Sequence, residues 1–214
     1  MIGIIDYGMG NLRSVENAFH HLGYESKIIK SPKEVKEVDK IVLPGVGAFG
    51  DAIKALREKG LDKAIHEAVE EQKYFLGICL GMQLIFDISY EGGKFEGLKL
   101  LKGEILRFDT NPPAGVAYGG QGLKIPHMGW NSLIIKKTSP LFAGLEAEPY
   151  VYFDHAYYLA TDADIVSAEC VYGRTFQAAA ESGGIYGLQF HPEKSGNVGL
   201  KILNNFGGLE LEKS

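Results

Sequence analysis

Two cysteines in 214 residues are too few for a disulfide framework, so a reactive thiol is compatible with this chain. No apolar run approaches the roughly eighteen residues of a membrane span. The opening MIGIIDYG has no basic residue and puts Asp6 where a signal peptide needs apolar ones, which leads us to expect a cytosolic, cytoplasmic protein with no membrane partner. Acidic residues outnumber basic ones, 27 to 22, and the net charge of -5 argues against a nucleic-acid partner. No G-x-x-x-x-G-K-[ST] phosphate loop occurs. The histidines (His20, His21, His66, His127, His155 and His191) lack metal-ligand spacing, and His20-His21 reads as a solvated helix end. Neither metal nor cofactor is expected. Repeats, low-complexity tracts and linker-like composition are absent too, so residues 1–214 are read as one domain large enough for a substantial core.

Glycine, by contrast, is abundant. Its 28 residues are about double the usual ~7% and gather in turns. The first half of the chain alternates strand and helix patterns. MIGII reads as a buried strand, and residues 11–22 as a helix with Leu12, Val15, Phe19 and Leu22 on one stripe. Strands follow at 26–30 and 40–43, helices at 48–59 and 61–72, and a strand at 74–78. This pattern predicts an α/β fold, an open mixed and mainly parallel sheet flanked by helices. The second half is strand-rich, with candidates at 103–108, 131–136, 151–159 and 165–171. A hairpin of 175–181 and 185–190 turns at Gly183-Gly184, and a helix at 196–206 closes the chain. Residues 111–122 read as a long loop, and Cys170 as an inert core residue.

The most informative stretch is Tyr74 to Gln83, YFLGICLGMQ. An apolar strand ends in Gly-Ile-Cys-Leu-Gly and an apolar helical run follows, the pattern of a nucleophile elbow with Cys79 at the turn. Glycines on either side keep the strained turn clear, and the positive end of the following helix faces the sulfur. A cysteine nucleophile needs an imidazole to move protons and a third group to orient that imidazole. His191 and Glu193, in QFHPE at a strand end, supply both, and an extended segment would project them to the same side.

The segment LPGVGAFG contains a formal G-x-G-x-x-G at Gly45, Gly47 and Gly50, which raises the possibility of dinucleotide binding. The acidic ribose ligand expected about twenty residues later would fall on a helix, within Glu67 to Glu71, instead of at a strand end. The better reading is an oxyanion loop. One backbone N–H from Gly45, Val46 or Gly47 would pair with that of Leu80, since acyl transfer needs two such donors.

With these residues assembled, the chain resembles the class I, triad-type glutamine amidotransferases, and within them the glutaminase subunits of imidazole glycerol phosphate synthase. IDYGMGNL, PGVGAFGDA, GICLGMQL, GLKIPHMGWN and GLQFHPEKS carry the resemblance from end to end. It implies that Cys79 attacks the side-chain amide of L-glutamine, with His191 as acid/base and Glu193 orienting it. Gln83, Gly47 and the backbone of Ala156 and Tyr157 would hold the substrate. Asn11, Trp130 and Lys194 would lie toward a synthase partner, a cyclase with a (βα)8 barrel, in a heterodimer. Such a barrel needs about 250 residues of its own. The ammonia would pass to that cyclase, which makes imidazole glycerol phosphate and AICAR from the ribonucleotide PRFAR in histidine biosynthesis. One segment departs from the family pattern: Tyr-Phe-Asp-His-Ala-Tyr carries Asp154 and Ala156 where Val and Ser or Thr are usual. That departure and the long 111–122 loop keep open a glutaminase serving another synthase, such as a sugar-modifying one. Two further alternatives are a binding-only paralogue, against which the intact triad argues, and a cysteine peptidase or deglycase of the same broad fold, against which Gln83 and the PGVG loop argue.

Overall fold

The structure is a computed structural model and describes residues 1–109 and 123–210. The loop expected at 111–122 therefore lies outside the described residues. The first half runs β1 (Ile2–Ile5), α1 (Leu12–His21), β2 (Ser26–Ile29), α2 (Pro32–Lys36), β3 (Lys40–Gly45), α3 (Phe49–Glu58), α4 (Leu61–Glu70), β4 (Tyr74–Cys79) and α5 (Leu80–Leu84). Short strands β5 (Ile88–Ser89) and β6 (Phe95–Glu96) lead to β7 (Glu104–Arg107). The second half holds β8 (His127–Ser132), β9 (Ile134–Ile135), β10 (Tyr150–His155), β11 (Tyr157–Ala160), β12 (Val166–Tyr172), β13 (Arg174–Ser182), β14 (Ile185–Leu188) and α6 (Gly196–Gly207).

Among the described residues one open mixed sheet of twelve strands has the order β2-β1-β3-β4-β14-β13-β11-β7-β5-β6, with β12 and β9 branching from β13. From β2 to β14 neighbouring strands are parallel; from β14 through β13 and β11 to β7 they are antiparallel, β7 and β5 are parallel again, and β5 and β6 are antiparallel. A separate antiparallel pair, β10 with β8, lies apart from it. Helices cover both faces. Val15 and Phe19 of α1 join Ile202 and Phe206 of α6 in one apolar cluster, and Ile53, Leu56 and Ile65 of α3 and α4 belong to the other. Burying each such side chain stabilises by about 1.5–3 kcal/mol, which is why a three-to-four spacing is enough to orient these helices.

Three expectations need correction. The run 151–159 is two strands in two sheets, broken at Ala156, whose carbonyl accepts the Phe108 N–H at 3.1 Å. Buried residues alternate along β10, and Tyr158 and Leu159 of β11 are buried as well, so the apolar run continues through a change of pairing partner. The candidate at 131–136 begins earlier, at His127, stops at Ser132 and resumes as β9. Helix α2 was not foreseen, although Ser31-Pro32-Lys33-Glu34 carries a start signal. Pro32 occupies the first turn, and the Glu34 carboxylate reaches back to the Ser31 N–H at 3.0 Å in a capping box.

Candidate active site

Cys79 is the last residue of β4 and caps α5, with φ 55° and ψ -111°, a backbone setting that L-residues rarely adopt. The elbow is held by close packing around it. A Cβ on Gly81 would sit 1.7 Å from the Leu43 carbonyl oxygen, and one on Gly77 2.6 Å from that of Gly81. The following helix is only five residues long.

Gly45, at the end of β3, pairs in register with Cys79, and His191 follows shortly after β14, the strand on the other side of β4. The nucleophile, the glycine loop and the histidine thus meet at the carboxyl ends of three adjacent parallel strands, where open α/β sheets place their ligands.

His191 is clamped through its backbone. Its N–H donates to the Tyr152 carbonyl at 2.8 Å, and its carbonyl accepts from Ser195 Oγ at 2.6 Å. Its Nδ1 lies 2.8 Å from Glu193 Oε1, and the ring makes hydrogen-bond contact with Cys79 as well. Burial alone would lower its pKa. Hydrogen bonds to Cys79 and Glu193, with their charges, outweigh burial and raise it from 6.5 to about 10. The expectation that an extended segment aligns the pair is wrong in detail. Pro192 to Lys194 form a 3-10 turn, because proline fixes φ and lacks an N–H to continue a ladder, and this turn brings Glu193 back to the ring.

A cavity of about 220 Å³ opens over the sulfur, lined by Val46, Gly47, Cys79, Leu80, Gln83, Glu91, Pro126, Asp154, His155, Ala156, Tyr157 and His191. Every expected substrate-site residue lines it except Gly45. A Cβ at Gly45 would fall within 2.8 Å of Tyr7 Oη, Gly81 N and Leu80 Cβ, so glycine is needed there for packing. A Cβ at Gly47 would meet only Met9 Sδ, at an unstrained 3.8 Å, but φ is 97°, so glycine is needed there for conformation. Gln83 lies in the wall, but its Nε2 is already engaged, donating to Gln189 Oε1 at 3.1 Å and to the Tyr157 carbonyl at 3.3 Å. The Cys79 Sγ lies 3.7 Å from the Asp154 carbonyl.

Two features were missed from sequence. Glu91 places a carboxylate in the cavity wall, where its Oε2 also accepts the Phe49 N–H at 2.8 Å; an acid in the Tyr-Glu-Gly-Gly turn was the available signal. From His155 in the cavity wall a buried imidazole chain leads to His127. His155 Nδ1 pairs with the Tyr157 carbonyl at 2.7 Å, which fixes it as the donor and leaves Nε2 as acceptor for His127 Nδ1 at 3.0 Å. His127 Nε2 then accepts from Asn131 Nδ2 at 3.4 Å, and the His127 ring is stacked between Phe153 and Tyr172.

Of the expected partner-facing residues, Trp130 and Lys194 come together around Tyr152. The Trp130 ring meets it edge-on at 6.2 Å, and Lys194 Nζ lies 5.6 Å from its centroid. Trp130 is 56% exposed, and Met128 and Tyr150 on the same two-stranded sheet are similarly bare. Asn11 precedes α1 and accepts a hydrogen bond from Ser14 Oγ at 2.8 Å. Asp154 pairs in register with Met128.

The family model for class I glutamine amidotransferases matches residues 3–207. The imidazole glycerol phosphate synthase subunit HisH of Caldanaerobacter subterraneus subsp. tengcongensis is 50% identical over 210 residues, 98% of this chain and 98% of that protein. Its counterpart from Geobacillus sp. is 51% identical over 210 residues, covering 98% and 97%. In three dimensions the chain is similar to the structure of PurLQS from Thermotoga maritima, with a TM-score of 0.74 at 23% identity over 96% of each chain.

Proposed function

The chain belongs to the class I glutamine amidotransferase family, and we propose from that premise that it is the glutaminase subunit of an imidazole glycerol phosphate synthase. It serves histidine biosynthesis by supplying ammonia to a cyclase subunit, and the lyase chemistry belongs to that partner. The observation that carries the reading is the Cys79–His191–Glu193 constellation beneath a cavity sized for one small substrate. The Cys79 sulfur attacks the side-chain amide carbon of L-glutamine, and the tetrahedral oxyanion is held by the Leu80 N–H and a second N–H from the glycine loop. His191 gives its proton to the amide nitrogen, the C–N bond breaks and ammonia leaves a glutamyl thioester. Water, deprotonated by His191, then cleaves the C–S bond to give glutamate and restore the thiol.

The cavity also holds the substrate's amino-acid end. Glu91 faces its ammonium and the backbone of Ala156 and Tyr157 its carboxylate. These contacts are alike in ground and transition states, so Glu91→Gln is expected to raise KM for glutamine about ten-fold with kcat within about three-fold. A steady-state assay in which kcat collapses while KM holds would take Glu91 out of this role.

Released ammonia would protonate in water, so the logic of the reaction calls for a docked acceptor enzyme. The exposed Met128, Trp130 and Tyr150, flanked by Lys194, give such a partner an apolar anchor with a charged edge. We take the partner to be a (βα)8-barrel cyclase in a heterodimer. The isolated chain is expected to hydrolyse glutamine slowly, and the cognate cyclase with its ribonucleotide to raise kcat more than it lowers KM. A full rate from the purified chain alone would refute this gating and leave the triad standing.

A further inference from the structure

Tyr7 lies two residues past β1, in the apolar cluster that also contains Leu43 and Leu80. It is 1% exposed, yet its hydroxyl has no hydrogen-bond partner among the described residues. An unpaired buried hydroxyl is costly, and a phenylalanine would fill the same space without that cost. The hydroxyl lies close beside Gly45. A Cβ on Gly45 would stand 2.7 Å from Tyr7 Oη, so the hydroxyl lies directly under the last residue of β3. The next two residues, Val46 and Gly47, line the cavity over Cys79. Burial, and then the charge of Cys79, raises the Tyr7 hydroxyl above the ordinary tyrosine range, so it stays a neutral donor at any working pH.

The peptide bond supplies the link. In a planar trans peptide the C=O and N–H point in opposite directions. If the carbonyl of Gly45 turns inward, toward Tyr7, the N–H of Val46 must turn outward, toward the cavity. We infer that Tyr7 is a positioning residue for the glycine loop: its hydroxyl captures the Gly45 carbonyl when the Gly45–Val46 peptide turns, and so holds the Val46 N–H on the developing oxyanion. The bond forms only in the turned state, so it biases a two-state element by its own differential strength. Space at Gly47 allows the chain beyond to follow, while Gly45 Cα stays wedged between Tyr7 and the start of α5.

This inference rests on the glutaminase reading above, and Tyr7→Phe tests it with three measurements. Glutamine kinetics are taken with and without the cyclase and its ribonucleotide, alongside thermal unfolding and alkylation of Cys79 by iodoacetamide, which needs no oxyanion site. The expected result is a kcat about ten-fold lower, KM within about two-fold, and an alkylation rate and unfolding midpoint no lower than the parent's. An unchanged kcat would overturn the inference. So would a fall in kcat matched by falls in alkylation and unfolding midpoint, since that pattern means a disturbed core. A parent chain that hydrolyses no glutamine even with the cyclase would sink the glutaminase reading and this inference together. An active parent with an equally active variant sinks only the inference.

Discussion

Cys79→Ala is expected to lower glutamine turnover by about a thousand-fold or more while the chain still folds. The sulfur is the atom that bonds to the substrate, and removing the nucleophile of a triad leaves only the acceleration due to binding and the oxyanion site. Folding is expected to survive because the elbow is held from outside, through the approach of Gly81 to the Leu43 carbonyl and of Gly77 to Gly81. The same position gives a second, opposite readout. A side chain at φ 55°, ψ -111° costs on the order of 1–3 kcal/mol, which glycine escapes. Cys79→Gly is therefore expected to be inactive yet more stable than the parent in urea by about 1 kcal/mol. Turnover near the parent's rate in the alanine variant would remove Cys79 from the chemistry. A glycine variant with no gain in stability would show that the elbow stores no strain.

The part of this design that was legible in the sequence is local. The elbow could be read because a turn of this kind demands small residues at fixed offsets, and Gly77, Cys79 and Gly81 fall within one short run of the chain. The parallel half of the sheet could be read because β1 to β4 are short apolar runs and α1, α3 and α4 bury regular stripes. What escaped depends on partners distant in the chain. The break at Ala156 is invisible because Val151, Phe153, Tyr158 and Leu159 are all buried on both sides of it, and only the pairing with β8 or with β7 tells the halves apart. Gly45 and Gly47 look equivalent in Pro-Gly-Val-Gly, yet one is needed for space and the other for φ. Glu91 enters the site from a segment with no motif of its own, and the segments that carry His127 and His155 give no sign in sequence that the two rings pair. Their roles follow from where the sheet places them, 42 residues from Phe49 in one case and 28 residues apart in the other.

That histidine pair makes the stability of the fold strongly dependent on pH. Burial lowers His127 from 6.5 to about 4. Burial lowers His155 to about 3, opposed by its bond to the Tyr157 carbonyl and assisted by the charges of His127 and His191. In the unfolded chain both take protons as pH falls through about 6.5. In the folded chain they resist until about 4 and 3, so between these limits the unfolded state binds more protons and is favoured. Stability is thus fully present above pH 6.5 and lost as pH falls, at about 1.4 kcal/mol per pH unit for each histidine. Two such groups in a domain of ordinary marginal stability are enough to threaten the fold near pH 4. His191 acts in the other direction. Its raised value means its contribution is intact below 6.5 and fades as pH rises toward about 10, which places the stability maximum near neutrality. Urea midpoints measured from pH 7 to 4.5 should therefore fall steeply for the parent. His155→Asn, whose amide can still donate to the Tyr157 carbonyl, should show about half that slope. Equal slopes in the two proteins would mean that the buried pair does not govern the acid limb.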